Sequence, residues 1–326
     1  MRFDFLKQSA GPIGVDIGIN AVRMVQFKTV KGRRTLLAGG SEPLPTGIEP
    51  YTGQWQRTVV EVIKSIYAGA PFKSRDVVTA IQCRDVFAKE IKIKPADYDT
   101  ADDIVAGEVK KIVPFDPKDA LIKRIELGGE DDDENQLRTI LVMATEKAKV
   151  ERHLAIFEKA ALRVKAVTVF PIILTGCYSR MFGRRASDAN VNVMLLSAQE
   201  SRCNVIICKG SKILFARNIS KGTDSLKTSQ GKQEFIADIE ACLRYFQSGR
   251  HLSVVEKIIL FANEQVDGNL SDSVMTIAKG QSIPAHVGDV LKAVADKDIY
   301  SKGIDARDSQ VDWTTAFGLA LTGGNL

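Results

Sequence analysis

Ile13-Gly14-Val15-Asp16-Ile17-Gly18-Ile19-Asn20-Ala21-Val22-Arg23-Met24-Val25-Gln26-Phe27 sets the reading of this chain. Ile13, Val15 and Ile17 alternate into Gly18-Ile19-Asn20, and Val22, Met24 and Gln26-Phe27 lead out. Apolar alternation on both sides of a Gly/Asn turn predicts a β-hairpin. A buried strand thus delivers Asp16 just before the turn. Backbone N–H groups of such a turn can converge on a phosphate, because glycine lets the chain approach without a Cβ. The carboxylate can then hold a hydrated Mg²⁺ against a polyphosphate. Asp16, Gly18, Asn20 and Arg23 are therefore the candidate nucleotide-binding residues. An Asp-x-Gly on a hairpin is more often a plain turn, so its context has to decide.

Working outward, a strand is expected around Arg34–Ala38, then a Pro-rich loop from Pro43 to Pro50. Trp55, Val59, Ile63, Ile66 and Tyr67 fall at helical spacing, which predicts an amphipathic helix over 54–68. Val77–Ile81 and Val86–Ile93 read as strands, and Ile104, Val105, Val109 and Ile112 as a helix stopped by Pro114. Ala120–Leu127 and Leu137–Ala144 flank an acidic run, Gly128–Glu134, that reads as a solvated hairpin tip rather than a cation site. Val150, Leu154, Phe157 and Ala161 mark a helix, 172–182 is helix-like, and Gly183–Asn190 has linker composition. The second half then opens as the first did. Val191–Leu196, Cys203–Cys208 and Ile213–Ile219 are strands, with a tight turn at Lys209-Gly210. A helix over 232–247, a buried strand at Val255–Phe261 and a closing helix from Val311 to Leu321 follow, the last ending at Gly323-Gly324. Two halves that both begin strand–turn–strand point to a duplication.

Bulk properties exclude several classes. A chain of 326 residues suits two cores rather than one. The net charge of +5 reads as a diffuse excess, with no Lys/Arg block dense enough for a nucleic-acid stripe. Cys83, Cys177, Cys203, Cys208 and Cys242 are odd in number and scattered, which fits reduced thiols in a cytosolic protein. His153, His251 and His286 show no metal-ligand spacing. Met1–Lys7 is too short and charged for a signal peptide, and no apolar run approaches the roughly 20 residues of a membrane span. A soluble, cytoplasmic protein is expected.

Read in order, these motifs resemble the PilM family, the cytoplasmic actin-like component of type IV pilus assembly, related to the division protein FtsA. Ile13–Phe27 resembles the family's first phosphate loop. Phe87-Ala-Lys-Glu-Ile-Lys-Ile-Lys-Pro95 and Glu108-Val-Lys-Lys-Ile-Val-Pro-Phe115 are similar to its inserted subdomain. Val142-Met-Ala-Thr-Glu-Lys147, Phe157-Glu-Lys-Ala-Ala-Leu-Arg163, Leu214-Phe-Ala-Arg217, Leu243-Arg-Tyr-Phe-Gln247 and Ala316-Phe-Gly-Leu-Ala-Leu321 match further along. The resemblance covers nearly the whole chain. It implies an α/β, actin-like (ribonuclease H-like, duplicated) two-lobed fold with an inserted α/β subdomain in the first lobe. The expected lobes are 1–185, with the insertion at about 74–160, and 186–326, with the closing helix 311–321 returning to the first.

The departures from the family pattern bear on function. Where its second phosphate loop carries Asp-x-Gly, this chain has Leu196-Ser197-Ala198, then Gln199-Glu200-Ser201-Arg202. Thr168-Val169-Phe170-Pro171 replaces its Asp-Val-Glu-Pro, Asp238 and Ala241 stand at its nucleoside-side Glu and Arg, and Ala262 and Asn263 replace its paired glycines. Actin-like ATPases need carboxylates on both halves to hold metal and attacking water. The expectation is a degenerate ATP/Mg site, no catalytic residue and no bound metal. The resemblance implies a scaffold that holds the N-terminal cytoplasmic tail of a bitopic inner-membrane protein of the PilN type, and meets the membrane through it. Val113, Pro114 and Phe115, at a helix end, are the candidate partner-binding residues, and the same three residues read equally well as a helix stop with a core plug. The alternatives are an active actin-like ATPase and an FtsA-like filament former that self-associates head to tail.

Overall fold

A computed structural model describes residues 9–94, 97, 100–128, 138–249, 253–262, 268–294, 299–304 and 312–323. Met1–Lys7, residues 129–134 of the acidic run, His251 and Asn263 lie outside the described residues. The first elements are β1 (Ser9–Ile17), β2 (Ala21–Val30), β3 (Arg33–Pro43), α1 (Gly53–Gly69) and β4 (Asp76–Ala80). Next come β5 (Phe87–Ile93), α2 (Ala101–Lys110), β6 (Ala120–Glu126), β7 (Arg138–Glu146), α3 (Lys147–Lys159), β8 (Arg163–Thr168) and α4 (Phe170–Met181). The remainder is β9 (Asn192–Ala198), β10 (Cys203–Lys209), β11 (Lys212–Ile219), α5 (Ser229–Gly249) and β12 (Lys257–Leu260), then α6 (Gly268–Gln281), β13 (Ala285–Val287), α7 (Val290–Ala293) and α8 (Thr314–Thr322). The chain divides into two units. One comprises residues 1–82, 151–181 and 289–326, and the other residues 83–150 and 182–288.

In the first unit the opening hairpin becomes the middle of a five-stranded sheet, ordered β3-β2-β1-β4-β8. β1, β2 and β3 are antiparallel, while β4 and β8 run parallel to β1 and to each other. The alternation read from the sequence buries Ile13, Val15, Ile17, Val22 and Met24. α1 starts because the Thr52 hydroxyl accepts from the Trp55 N–H at 3.2 Å, which satisfies one of the four orphan donors at a helix start. Its stripe of Trp55, Val59, Val60, Ile63 and Ile66 is buried in the same core. Gln26 is the one buried amide in the sheet. It donates to the Gly11 carbonyl and accepts from the Lys73 N–H, so β1, β2 and the entry to β4 share one satisfied polar side chain.

α8 lies directly on β1. A Cβ on Gly14 would overlap the Ala316 carbonyl oxygen and the Ala320 nitrogen, so only glycine admits the helix at this distance. Gly318 plays the same part against Ile173 of α4. Phe317 then meets the Phe27 ring edge-on at 5.4 Å. Thr314 to Thr322 are all buried, which makes α8 apolar all round rather than amphipathic.

The second unit repeats the plan with the order β11-β10-β9-β12-β13, again three antiparallel strands followed by two parallel ones. β9 stands where β1 stands in the first sheet, which is the expected duplication at the level of topology. α5 and α6 cover it with Phe235, Ile239, Leu243 and Phe246, and with Leu270, Val274 and Ile277. The same unit holds a smaller sheet, β5-β7-β6, closed by Val105 and Val109 of α2. Just after β6 the Gly128 N–H donates to the Ile213 carbonyl of β11 at 2.7 Å, and the stem of Lys212 fills the place a Cβ would take. Helix α6 and strand β8 were not expected. Leu270, Val274, Ile277 and Ala278 do carry helical spacing, but over 14 residues with Gly at one end and Lys-Gly-Gln at the other. Among the described residues no helix is long and apolar enough to cross a membrane.

Candidate functional site

The turn of the opening hairpin is closed by backbone hydrogen bonds of its own chain. The Gly18 N–H donates to the Ala21 carbonyl at 2.9 Å, and the Asn20 carbonyl accepts from Leu44 N–H at 2.7 Å. Gly18 is not in the left-handed region. Its lack of a side chain is needed for space instead, because a Cβ would sit 3.0 Å from both the Ala21 oxygen and Arg23 Nη1. The Arg23 guanidinium therefore lies over the turn. Cross-strand pairing sets it opposite Asp16, and Arg23 Nη1 reaches Asp16 Oδ2 at 3.2 Å. Both side chains are largely enclosed, at 16% and 17% exposure. Burial raises the Asp16 pKa, the Arg23 charge opposes that, and Asp312 raises it further. Asp312 was missed by the sequence reading. It comes from the far end of the chain, where Oδ1 accepts from the Thr314 N–H at 2.9 Å and starts α8. Gln82 adds a donor to the Ile17 carbonyl at 2.9 Å. The four sequence-selected residues thus do share one turn.

In the second unit the corresponding turn, Gln199–Arg202, is occupied by its own chain. Thr223 N–H donates to Gln199 O and Asp224 N–H to Glu200 O, both at 2.9 Å. Gly222 lies so close that a Cβ would overlap the Gln199 oxygen. Leu196 is fully buried in the core beneath, on the strand that leads to this turn. On α5, Asp238 accepts from Lys221 at 2.8 Å, with Glu234 at 3.5 Å from the same ammonium. Hydrogen bonding to Asp238, more than any other cause, raises the Lys221 pKa. Two turns further along the same face of that helix, the Arg217 guanidinium lies 6.0 Å from the Tyr245 ring centroid. Among the described residues no group of three or more His, Cys, Asp or Glu can hold a metal.

The candidate partner residues follow α2. Val113 packs against the small core, Phe115 meets Phe87 edge-on at 6.0 Å, and Pro114 is exposed between them. The segment is therefore part core plug and part surface. A feature the sequence reading did not find lies in the first unit, on α3 and β8. Leu154, Ala155, Phe157, Leu162 and Val164 floor a groove of about 390 Å³, with Glu151 and Glu158 at its margin. Leu154 is 37% exposed there, although it occupies an apolar position of the predicted helix. The periodicity that marked Leu154 could not tell a groove from a core.

The chain matches a solved structure of a PilM-PilN type IV pilus biogenesis complex with 17% identity and a TM-score of 0.75, over 97% of this chain and 99% of that one. A Bacteroides thetaiotaomicron protein with an actin-like ATPase fold matches at 9% identity and a TM-score of 0.51, over 92% of this chain and 98% of that one. At these identities the two structures establish the fold, which is actin-like, with a mixed α/β architecture in several sheets. No curated protein sequence matches the chain significantly. The family described as "Type IV pilus assembly protein PilM" matches over residues 14–233, about two thirds of the chain, and the match begins inside the hairpin that carries Asp16. On that match, the chain belongs to the PilM family of type IV pilus assembly proteins.

Proposed function

We propose that the protein is a cytoplasmic scaffold of a type IV pilus or related secretion assembly, which holds the N-terminal tail of a PilN-like membrane protein and does not turn over ATP. One observation carries this reading: in each unit the carboxylate at a nucleotide-side position is paired with a cation of the same chain. Arg23 meets Asp16, and Lys221 meets Asp238. The guanidinium takes the place beside Asp16 that a divalent ion would need, and lies over the glycine that would face a phosphate. Leu196 offers no ligand, and the Gly222–Asp224 segment uses the carbonyls of the second turn. These residues do not fit Mg-ATP, so no catalytic step is assigned to them.

A tail peptide needs an apolar floor with polar margins. The groove on α3 and β8 supplies both, and its carboxylates favour a segment with apolar residues beside a cation. The Val113–Phe115 segment is the alternative seat, through Pro114 and the outer edge of Phe115. Isothermal titration with the tail peptide of the matching membrane protein tests both. Leu154→Arg is expected to weaken binding at least tenfold, roughly the loss of one apolar anchor, while Phe115→Ala leaves it nearly unchanged. The reverse result moves the seat to the end of α2. No heat with the wild-type chain sinks the scaffold reading.

A further inference from the structure

β1, β4 and β8 of the first unit are parallel, so their N-terminal ends lie together, beside the end of β2 and the start of β3. Asp16 and Gly18 sit at the opposite end of this sheet. The segments that converge at the N-terminal end are rich in cations. Lys28, Lys31, Arg33 and Arg34 come from the β2–β3 hairpin, Lys73 and Arg75 from the entry to β4, and Arg163 and Lys165 from β8. Asp76 is the single carboxylate in those segments, bound by Arg163 at 2.8 Å and by Lys165 at 3.8 Å. Eight cations against one carboxylate make a formal +7, whereas the whole chain carries +5. The rest of the protein is therefore net acidic. Lys302 adds to the crowding: burial first, then the charge of Lys28, lower its pKa.

We propose that this end of the sheet is a docking surface for an anionic lipid bilayer, which the protein contacts directly and not only through a membrane partner. Five strands about 4.8 Å apart spread the charges over roughly 20 Å, too wide for one phosphate ligand and suited to a plane of headgroups. Among the described residues Lys28, Lys31, Arg33 and Arg34 have no carboxylate partner, so docking breaks no ion pair there. The choice of lipid over an acidic protein rests on charge and spread together: the cations come from three separate segments, the β2–β3 hairpin, the entry to β4 and β8, and each cation facing an anionic bilayer contributes about 1 kcal/mol. The inference does not depend on where a partner tail sits.

Flotation of the full chain with vesicles tests it. The protein is expected to float with equimolar phosphatidylcholine and phosphatidylglycerol, to ignore phosphatidylcholine alone, and to be released as salt screens the contact. Combining Lys31→Gln, Arg33→Gln, Lys73→Gln and Lys165→Gln should lower partitioning roughly 100-fold or more, at about fivefold per cation. The same number of charges removed from the other unit, by Lys92→Gln, Lys94→Gln, Lys110→Gln and Lys118→Gln, should leave it within a few-fold. If the first set unfolds, Lys31→Gln with Arg33→Gln at the exposed hairpin tip replaces it. Absence of binding by the wild-type chain overturns the proposal. So do equal losses in the two sets, or capture of poly-glutamate by a chain that ignores anionic vesicles.

Discussion

Asp16 and His153 are both enclosed ionisable groups in the first unit, and the structure handles them differently. Asp16 keeps a cation, because an uncompensated buried charge is far more costly than a paired one. His153 is instead held neutral among apolar neighbours. Thr79 Oγ1 donates to the Val15 carbonyl at 3.0 Å, so its only proton is in use, and His153 Nε2 at 2.9 Å carries the ring proton and donates to Thr79. The ring rests edge-on against Phe157 at 5.3 Å. Burial lowers its pKa from 6.5 to about 4. With the folded pKa below the unfolded one, the stabilisation is complete above pH 6.5 and is lost as pH falls from there toward 4. Urea denaturation should show about 2 kcal/mol less stability at pH 5 than at pH 6.5 from this group. His153→Gln, which cannot titrate, should flatten that slope, and an unchanged slope would show that His153 is not its source. The histidine was visible in the sequence, but its neutral state was not, because Thr79 and Val15 reach it only through the sheet.

At the scale of elements, the opening hairpin formed where the alternation placed it, yet for a different reason at its turn. Gly18 is there for clearance beneath Arg23, not for a left-handed backbone. Gly14 matters as much, and nothing in its neighbourhood announced it. It sits mid-strand, where glycine usually weakens pairing, and its use appears only once α8 lies across it. Gly14→Ala should therefore cost about 3 kcal/mol or more, by forcing backbone against backbone. Gly107→Ala, in the exposed interior of α2 with open space around it, should gain roughly 0.5–1 kcal/mol. Paired thermal melts check both, and a neutral Gly14→Ala would mean that α8 is free to shift. The closing helix was legible from its apolar run, but its burial on all sides was not, since a short apolar run reads alike in a half-exposed and a buried helix.

For the whole molecule, Asp16 meets Arg23 and Asp238 meets Lys221, and on the proposed reading no nucleotide displaces either cation. Saturating Mg-ATP should shift the melting temperature by less than about 1 °C, since only binding to the folded state stabilises it. A large shift, removed by Asp16→Ala, would restore the ATPase reading. The sequence by itself determined the actin-like duplication, the family and the elements in order, apart from ones such as α6 and β8, because alternation, turn residues and motif order are properties of neighbours along the chain. It also marked Asp16, Gly18, Asn20 and Arg23 as one turn, since eight residues of a hairpin bring them together. Only the tertiary structure decided what that turn holds, through Arg23 folding over Gly18 and Asp312 arriving from the start of the last helix. Charge shows the limit most clearly. Counted along the chain the cations look diffuse, with a net +5. Parallel strands then bring the starts of distant segments to one sheet end, and there the excess becomes a surface.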